Sequence, residues 1–183
     1  MWQPSGMKAR TTEDHKLPAL ALDSRGRPCS IAASLQAVGE KWSLLAVREI
    51  SFGNHRFAAI ARNTGAPRDV LTARLRHLES VGVLTRRQYS EHPPRFEYHL
   101  TEAGRDLLVV LATLRAWGDR WLVDEPPAVV GHSCGEELDM VHSCRHCGQE
   151  VVPEDLRLDV RTPGWNSSGP VDSPAADSRA ASE

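Results

Sequence analysis

The stretch from Thr64 to Gly82, TGAPRDVLTARLRHLESVG, constrains the fold of this chain more than any other. Thr64-Gly65-Ala66 reads as a turn. Pro67 suits the first position of a helix, where a missing N–H costs no intrahelical bond. Leu71, Leu75 and Leu78 then recur at i, i+4 and i+7 on one face, and Gly82 ends the helix. At about 100° per residue, Asp69, Thr72, Ala73 and Arg76 fall on the opposite face, with Arg68 at the exposed start. A shorter helical segment over about 56–63 precedes the turn. Two helices therefore meet at a tight corner, and the second is apolar on one side and arginine-bearing on the other. This is helix-turn-helix geometry.

The flanking segments complete the pattern. Upstream, Ile31, Leu35 and Val38 recur at helical spacing before Gly39. KWSLLAVREISF is apolar nearly all round, with Trp42, Leu44, Leu45, Val47 and Ile50, and is expected as a core helix stopped by Gly53-Asn54. Downstream, VLTRRQY and RFEYHL read as two strands around Ser-Glu-His-Pro-Pro. In the second, Phe96, Tyr98 and Leu100 alternate with Glu97 and His99, the period of a half-buried strand. Thr101 is a candidate N-cap for a long helix, with Glu102 at its positive end. Leu107, Leu108, Leu111, Leu114, Trp117, Trp121 and Leu122 form that helix's apolar stripe. The expected fold is mainly α with a small β-hairpin, a winged helix-turn-helix over 29–123.

The net charge of −2 conceals a strong asymmetry. From Ser51 to Arg105 there are nine arginines against five carboxylates, whereas from Leu122 onward Asp and Glu far outnumber Arg145, Arg157, Arg161 and Arg179. A basic centre beside an acidic tail is the distribution a polyanionic partner would select.

These motifs, in this order, resemble the HxlR-type regulators, a MarR-like branch of bacterial winged-helix proteins. The resemblance runs from about Cys29 to Trp121. It rests on V-G-E-K-W-S-L-L at 38–45, R-F at 56–57 and L-T-A-R-L-R-H-L-E at 71–79 with the following G-V-L. It continues through P-P-R-F-E-Y-H-L-T-E-A-G-R at 93–105 and W-G at 117–118. Glu40 departs from the family's glycine, Ser30 from its proline after Cys29, and Ala66 from a capping serine.

The resemblance implies a transcription regulator, by expectation a repressor, that binds double-stranded DNA as a homodimer on a pseudo-palindromic operator. The second helix of the corner would enter the major groove, where base pairs present distinct donor and acceptor patterns. Arg76 is then the first candidate for a base contact, with Thr72 and Arg68 next. Arg87 and Arg95 on the hairpin are candidates for the backbone or an adjacent minor groove. Arg74 lies nearer the apolar side and suits a structural ion pair. Some relatives sense oxidants through a cysteine placed like Cys29, whose thiolate a helix N-terminus would favour; the alternative is an inert thiol. A winged-helix module that binds a protein instead of DNA is the competing reading. No phosphate loop, HExxH or G-x-S-x-G motif supports an enzyme.

Beyond the regulator core, GHSCGEELDMVHSCRHCGQEVVPEDLRL carries two Cys-Gly pairs. Cys144 and Cys147 form a C-x-x-C knuckle, and His132 and Cys134 would complete a Cys₃His tetrahedron for one structural Zn²⁺ in a small C-terminal zinc-ribbon-like segment over 124–163. His142 and His146 are reserve nitrogen donors. A flexible acidic tail with incidental cysteines, or a redox-active pair, are the other readings. Residues 1–28 are expected to be a loose arm and 164–183, rich in Ser, Pro, Gly and Ala, a disordered tail. With no apolar run of membrane-spanning length and no secretory h-region at the N-terminus, the expected location is the cytoplasm, at the nucleoid.

Overall fold

The computed structural model describes Leu17 and residues 27–171. Most of the arm expected over 1–28, and the part of the tail from 172 to 183, lie outside the described residues. The order of elements is α1 (Ser30–Val38), α2 (Lys41–Ser51), α3 (Phe57–Thr64), α4 (Arg68–Ser80), β1 (Leu84–Ser90), β2 (Arg95–Leu100) and α5 (Glu102–Trp121), followed by one 3₁₀ turn, Pro153–Asp155. This is the winged helix-turn-helix arrangement.

The core is built by three stripes. Ser43, Ala46, Val47 and Ile50 of α2 are buried together with Ile60 of α3 and Leu71, Leu75 and Leu78 of α4. Val81, Val83 and Leu84 close it from the start of the wing. The α2 stripe is narrower than its composition suggests: Trp42, Leu44 and Leu45 are only half-buried, because one face of a helix suffices to cover this small core. The three α4 leucines are fully buried. At roughly 1.5–3 kcal/mol for each such side chain, they fix the roll of α4 and so aim its opposite face outward.

Helix ends follow local chemistry. Gly65, with φ of 71°, caps α3 in the left-handed region and turns the chain toward α4. Pro67, expected as the first helical residue, is instead the N-cap of α4, which begins at Arg68; its ψ is 140° and its carbonyl accepts from Leu71 N–H at 2.9 Å. Thr101 caps α5 as expected: its Oγ1 accepts from Gly104 N–H at 3.1 Å and donates to the Gly82 carbonyl at 2.7 Å.

Glu49 is the one deeply buried carboxylate among the described residues, and it was not singled out from the sequence. Oε1 accepts from Arg48 Nη2 at 2.8 Å, while Oε2 accepts from Asn54 Nδ2 and Asn63 Nδ2, both at 2.9 Å. The network ties α2, the following loop and the end of α3 into one corner.

The hairpin is antiparallel, pairing Leu84 with Leu100, Arg86 with Tyr98 and Arg87 with Glu97, with an irregularity between Gln88 and Ser90. The expected alternation in β2 is blunted, since every residue from Phe96 to Leu100 is half-buried. The cause lies on its far edge, where the segment before α3 pairs with it. Tyr98 N–H donates to the His55 carbonyl at 2.8 Å, and Arg56 forms a bridge with Glu97.

The chain divides into two compact units within α5, the first holding Ile31–Arg115 and the second Ala116 onward with the residues just before α1. This boundary falls earlier than the 123 expected from sequence. Leu107, Leu108 and Leu111 pack on the core, but from Leu114 the stripe is exposed, so the helix leaves the first unit before it ends. In the second unit, residues 164–171 are not the start of a structureless tail. Asn166 Oδ1 accepts from Ser168 and Gly169 N–H, and Val171 N–H returns to the Gly164 carbonyl at 2.8 Å.

Candidate nucleic-acid interface

With the α4 leucines inward, Arg68, Asp69, Thr72, Ala73 and Arg76 line an open groove of about 580 Å³ together with Phe57 of α3. These are the residues the helical periodicity placed opposite the leucines. Arg68 is stacked on Phe57, its guanidinium carbon 5.0 Å from the ring centre. Thr72 donates its hydroxyl proton to the Arg68 carbonyl at 2.7 Å, so outward it offers a methyl group and a lone pair. Arg76 is exposed and has no hydrogen-bond or ion-pair partner among the described residues.

The remaining arginines sort by their neighbours. Arg74 Nη1 lies 3.7 Å from Glu40 Oε1, the structural pair its helical angle suggested, and the partner is the residue that departs from the family glycine. Arg86 lies 3.7 Å from Glu79 of α4 and 4.2 Å above the Phe96 ring, which braces the wing against the helix. Arg87 and Arg95 are exposed, without ion-pair or hydrogen-bond partners among the described residues, Arg95 opposite Ser90 near the wing tip.

Two features of the wing base were not anticipated. Arg56 Nε donates to Glu97 Oε1 at 3.0 Å and its guanidinium sits 4.5 Å from the Tyr89 ring, so it holds the wing to the start of α3. His55 and His99 stack at 4.4 Å, and His55 Nδ1 donates to the Tyr98 carbonyl at 2.9 Å. Partial burial, then His55 and Arg87, hold the His99 pKa below its ordinary value against the opposing pull of Glu97. Both histidines were visible in sequence, but only their tertiary contact makes them a pair.

Cys29 is half-buried directly ahead of α1. The C-terminal cysteines fall into two local pairs. His132 Nδ1 and Cys134 Sγ are 3.2 Å apart in a hairpin closed by Gly131 and Glu137. Cys144 and Cys147 share a second hairpin, closed by Ser143 and Glu150. The Cys144 thiol is held below its usual range by the backbone N–H groups of Cys147 and His146 and by the Cys147 side chain. Among the described residues, no three His, Cys, Asp or Glu side chains converge on one point as a metal site would require. His132 is paired with Cys134 and Cys144 with Cys147; the two pairs are separate.

A family model described as HxlR-like helix-turn-helix matches residues 37–126. An uncharacterised HTH-type transcriptional regulator of Mycobacterium tuberculosis is 45% identical over 130 residues, which span 69% of this chain and 82% of that protein. A second such regulator, from Synechocystis, is 38% identical over 101 residues, 55% of this chain and 75% of its own. Among solved structures, PA1607, assigned as a transcription factor, superposes with a TM-score of 0.64 at 30% identity, covering 72% of this chain and 94% of that one. PA1374 from Pseudomonas aeruginosa, assigned likewise, gives a TM-score of 0.54 at 30% identity over 77% of this chain and 97% of its own. Wing, corner and core thus agree with sequence and structural kinship, and the chain belongs to the HxlR-like helix-turn-helix family of transcriptional regulators.

Proposed function

We propose that the protein represses transcription by binding, as a homodimer, a pseudo-palindromic operator in double-stranded DNA. The observation that carries this is the division of labour on α4. Its leucine face is fully buried, while Arg68, Thr72 and Arg76 line an open groove and the neighbouring Arg74 and Arg86 are held by carboxylates. Arg76 then contacts a guanine edge in the major groove, and Thr72 offers its methyl group to a base. Arg68 leaves Phe57 for a phosphate or base at the helix start. Arg87 and Arg95 on the wing contact the backbone or the adjacent minor groove. Such contacts require the protein to work at the nucleoid, in the cytoplasm. Among the described residues no helix is long and apolar enough to cross a membrane.

Fluorescence anisotropy with DNA from upstream of the protein's own gene, against a shuffled control and at several salt concentrations, tests the reading. A specific regulator binds its operator at least ~10³-fold more tightly than the control, with affinity falling steeply as salt rises. Absence of binding even at low salt, across a genomic fragment library, would leave the fold as a protein-interaction module.

A further inference from the structure

The second unit poses a physical problem that its sequence answers. From residue 122 to 171 no side chain is buried; Val129, Val141, Leu156 and Leu158 are all about two-thirds exposed or more. The segment nevertheless holds defined hairpins. In the first, His132 N–H donates to the Glu136 carbonyl and Leu138 N–H to that of Val130, at 2.8 and 2.7 Å. In the second, Cys144 N–H donates to the Gln149 carbonyl and Val151 N–H to that of His142, at 2.8 and 2.7 Å. Each turns through a glycine of positive φ directly after a cysteine, Gly135 at 99° and Gly148 at 73°. Two hairpins of the same build, without a core, need a cross-link, and the groups both of them carry at the turn are metal donors.

We infer that His132, Cys134, Cys144 and Cys147 close on a single zinc ion, which joins the two hairpins as a structural site of this chain. The 3.2 Å between His132 Nδ1 and Cys134 Sγ is close to the ~3.5 Å separation of two ligands on one tetrahedral zinc with Zn–N of ~2.05 Å and Zn–S of ~2.3 Å. The second hairpin places Cys144 and Cys147 at the equivalent turn, closed by Ser143 and Glu150 and ending in Gly148, so it too carries two donors for one ion. Residues 138–142 have no regular structure and form the connection that lets one pair meet the other. On binding, the three thiols release their protons to solvent and the imidazole binds neutral. All four positions are then filled by protein, so the ion carries no open site for chemistry.

The test is the metal content of the full chain purified without chelators from zinc-supplemented cells. One zinc per chain is expected by elemental analysis, retained in Cys29→Ser and lost in Cys144→Ser and in Cys147→Ser. The buried core of the first unit contains none of these residues, so helical circular dichroism of the variants reports whether a loss of zinc is only a failure to fold. Cobalt exchanged into the wild type should give tetrahedral visible bands and a thiolate charge-transfer band that weakens with each cysteine removed. A wild-type protein free of zinc, or a well-folded Cys147→Ser variant that keeps it, overturns the site. Zinc retained in His132→Asn but lost in His142→Asn or His146→Asn overturns the ligand set.

Discussion

At the scale of single residues, what separates the arginines is whether a carboxylate already holds them. Arg76 and Arg95 are both exposed and unpaired among the described residues, yet they sit on different elements and should behave differently on DNA. Arg76→Ala should cost about 1–3 kcal/mol on the operator and far less on shuffled DNA, because a bidentate base contact is lost. Arg95→Ala should weaken both DNAs alike and reduce the salt dependence by about one counterion. Equal loss on both DNAs for Arg76→Ala would remove it from base reading. Glu49 makes the second prediction. Glu49→Ala strands Asn54 and Asn63 amides and should destabilise the protein by about 1–3 kcal/mol, read as a lower midpoint in urea melts. An unchanged midpoint would mean that the network merely accompanies the corner. The roll of α4 was legible because Leu71, Leu75 and Leu78 mark one face outright. Arg86 was not, since its partners Glu79 and Phe96 are set by how the wing folds back on α4. Glu49 was hidden for the same reason: a single acid in an apolar helix reads as a solvated residue until two distant asparagines arrive.

At the scale of elements, all five helices and both strands were legible, because each carries its own period and its own stop. What periodicity could not supply was the attachment of one element to the next. Thr101 shows how such joints work: one hydroxyl caps α5 and ties it to the Gly82 carbonyl at the end of α4. Thr101→Ala should therefore cost more than an ordinary cap, about 1–2 kcal/mol in thermal or urea unfolding. Thr101→Ser, which keeps the hydroxyl, should recover most of it; failure to do so would shift the effect to the lost methyl group. The wing joint is titratable. The folded pKa of His99 is depressed, so its contribution to stability is full above the unfolded value of about 6.5 and is lost as pH falls through the folded value. The groups facing it are His55 from the segment before α3, Arg87 from β1 and Glu97 from β2. Acidification below about pH 6.5 should loosen the wing, seen as a lower protection factor at the Tyr98 amide once the intrinsic pH dependence of exchange is divided out, and His99→Gln should flatten that dependence. A wild-type protection factor with no such pH step would assign the stack to packing alone.

At the scale of the whole molecule, two helical stripes that read as apolar stand exposed, one on α5 and one on α1. Leu114 at the end of the first unit is 50% exposed, and Trp117 and Trp121 of the second unit are 53% and 62% exposed. On α1, only Val38 is buried, and Ile31 and Leu35 stand 71% and 58% exposed. In the proposed homodimer they are the surfaces a second copy covers, by the self-complementary contact that two-fold symmetry imposes. Charging one such position places like charges on both subunits and strands them against an apolar surface. Leu35→Lys, far in sequence from the arginines of α4 and the wing, should therefore convert dimer to monomer in sedimentation equilibrium without altering the core. Operator affinity should fall about 10²–10⁴-fold, since two half-sites are then no longer read together, while binding to a single half-site is largely preserved. A Leu35→Lys protein that remained dimeric, or a monomer that kept full operator affinity, would show that α1 is not the surface through which two copies meet.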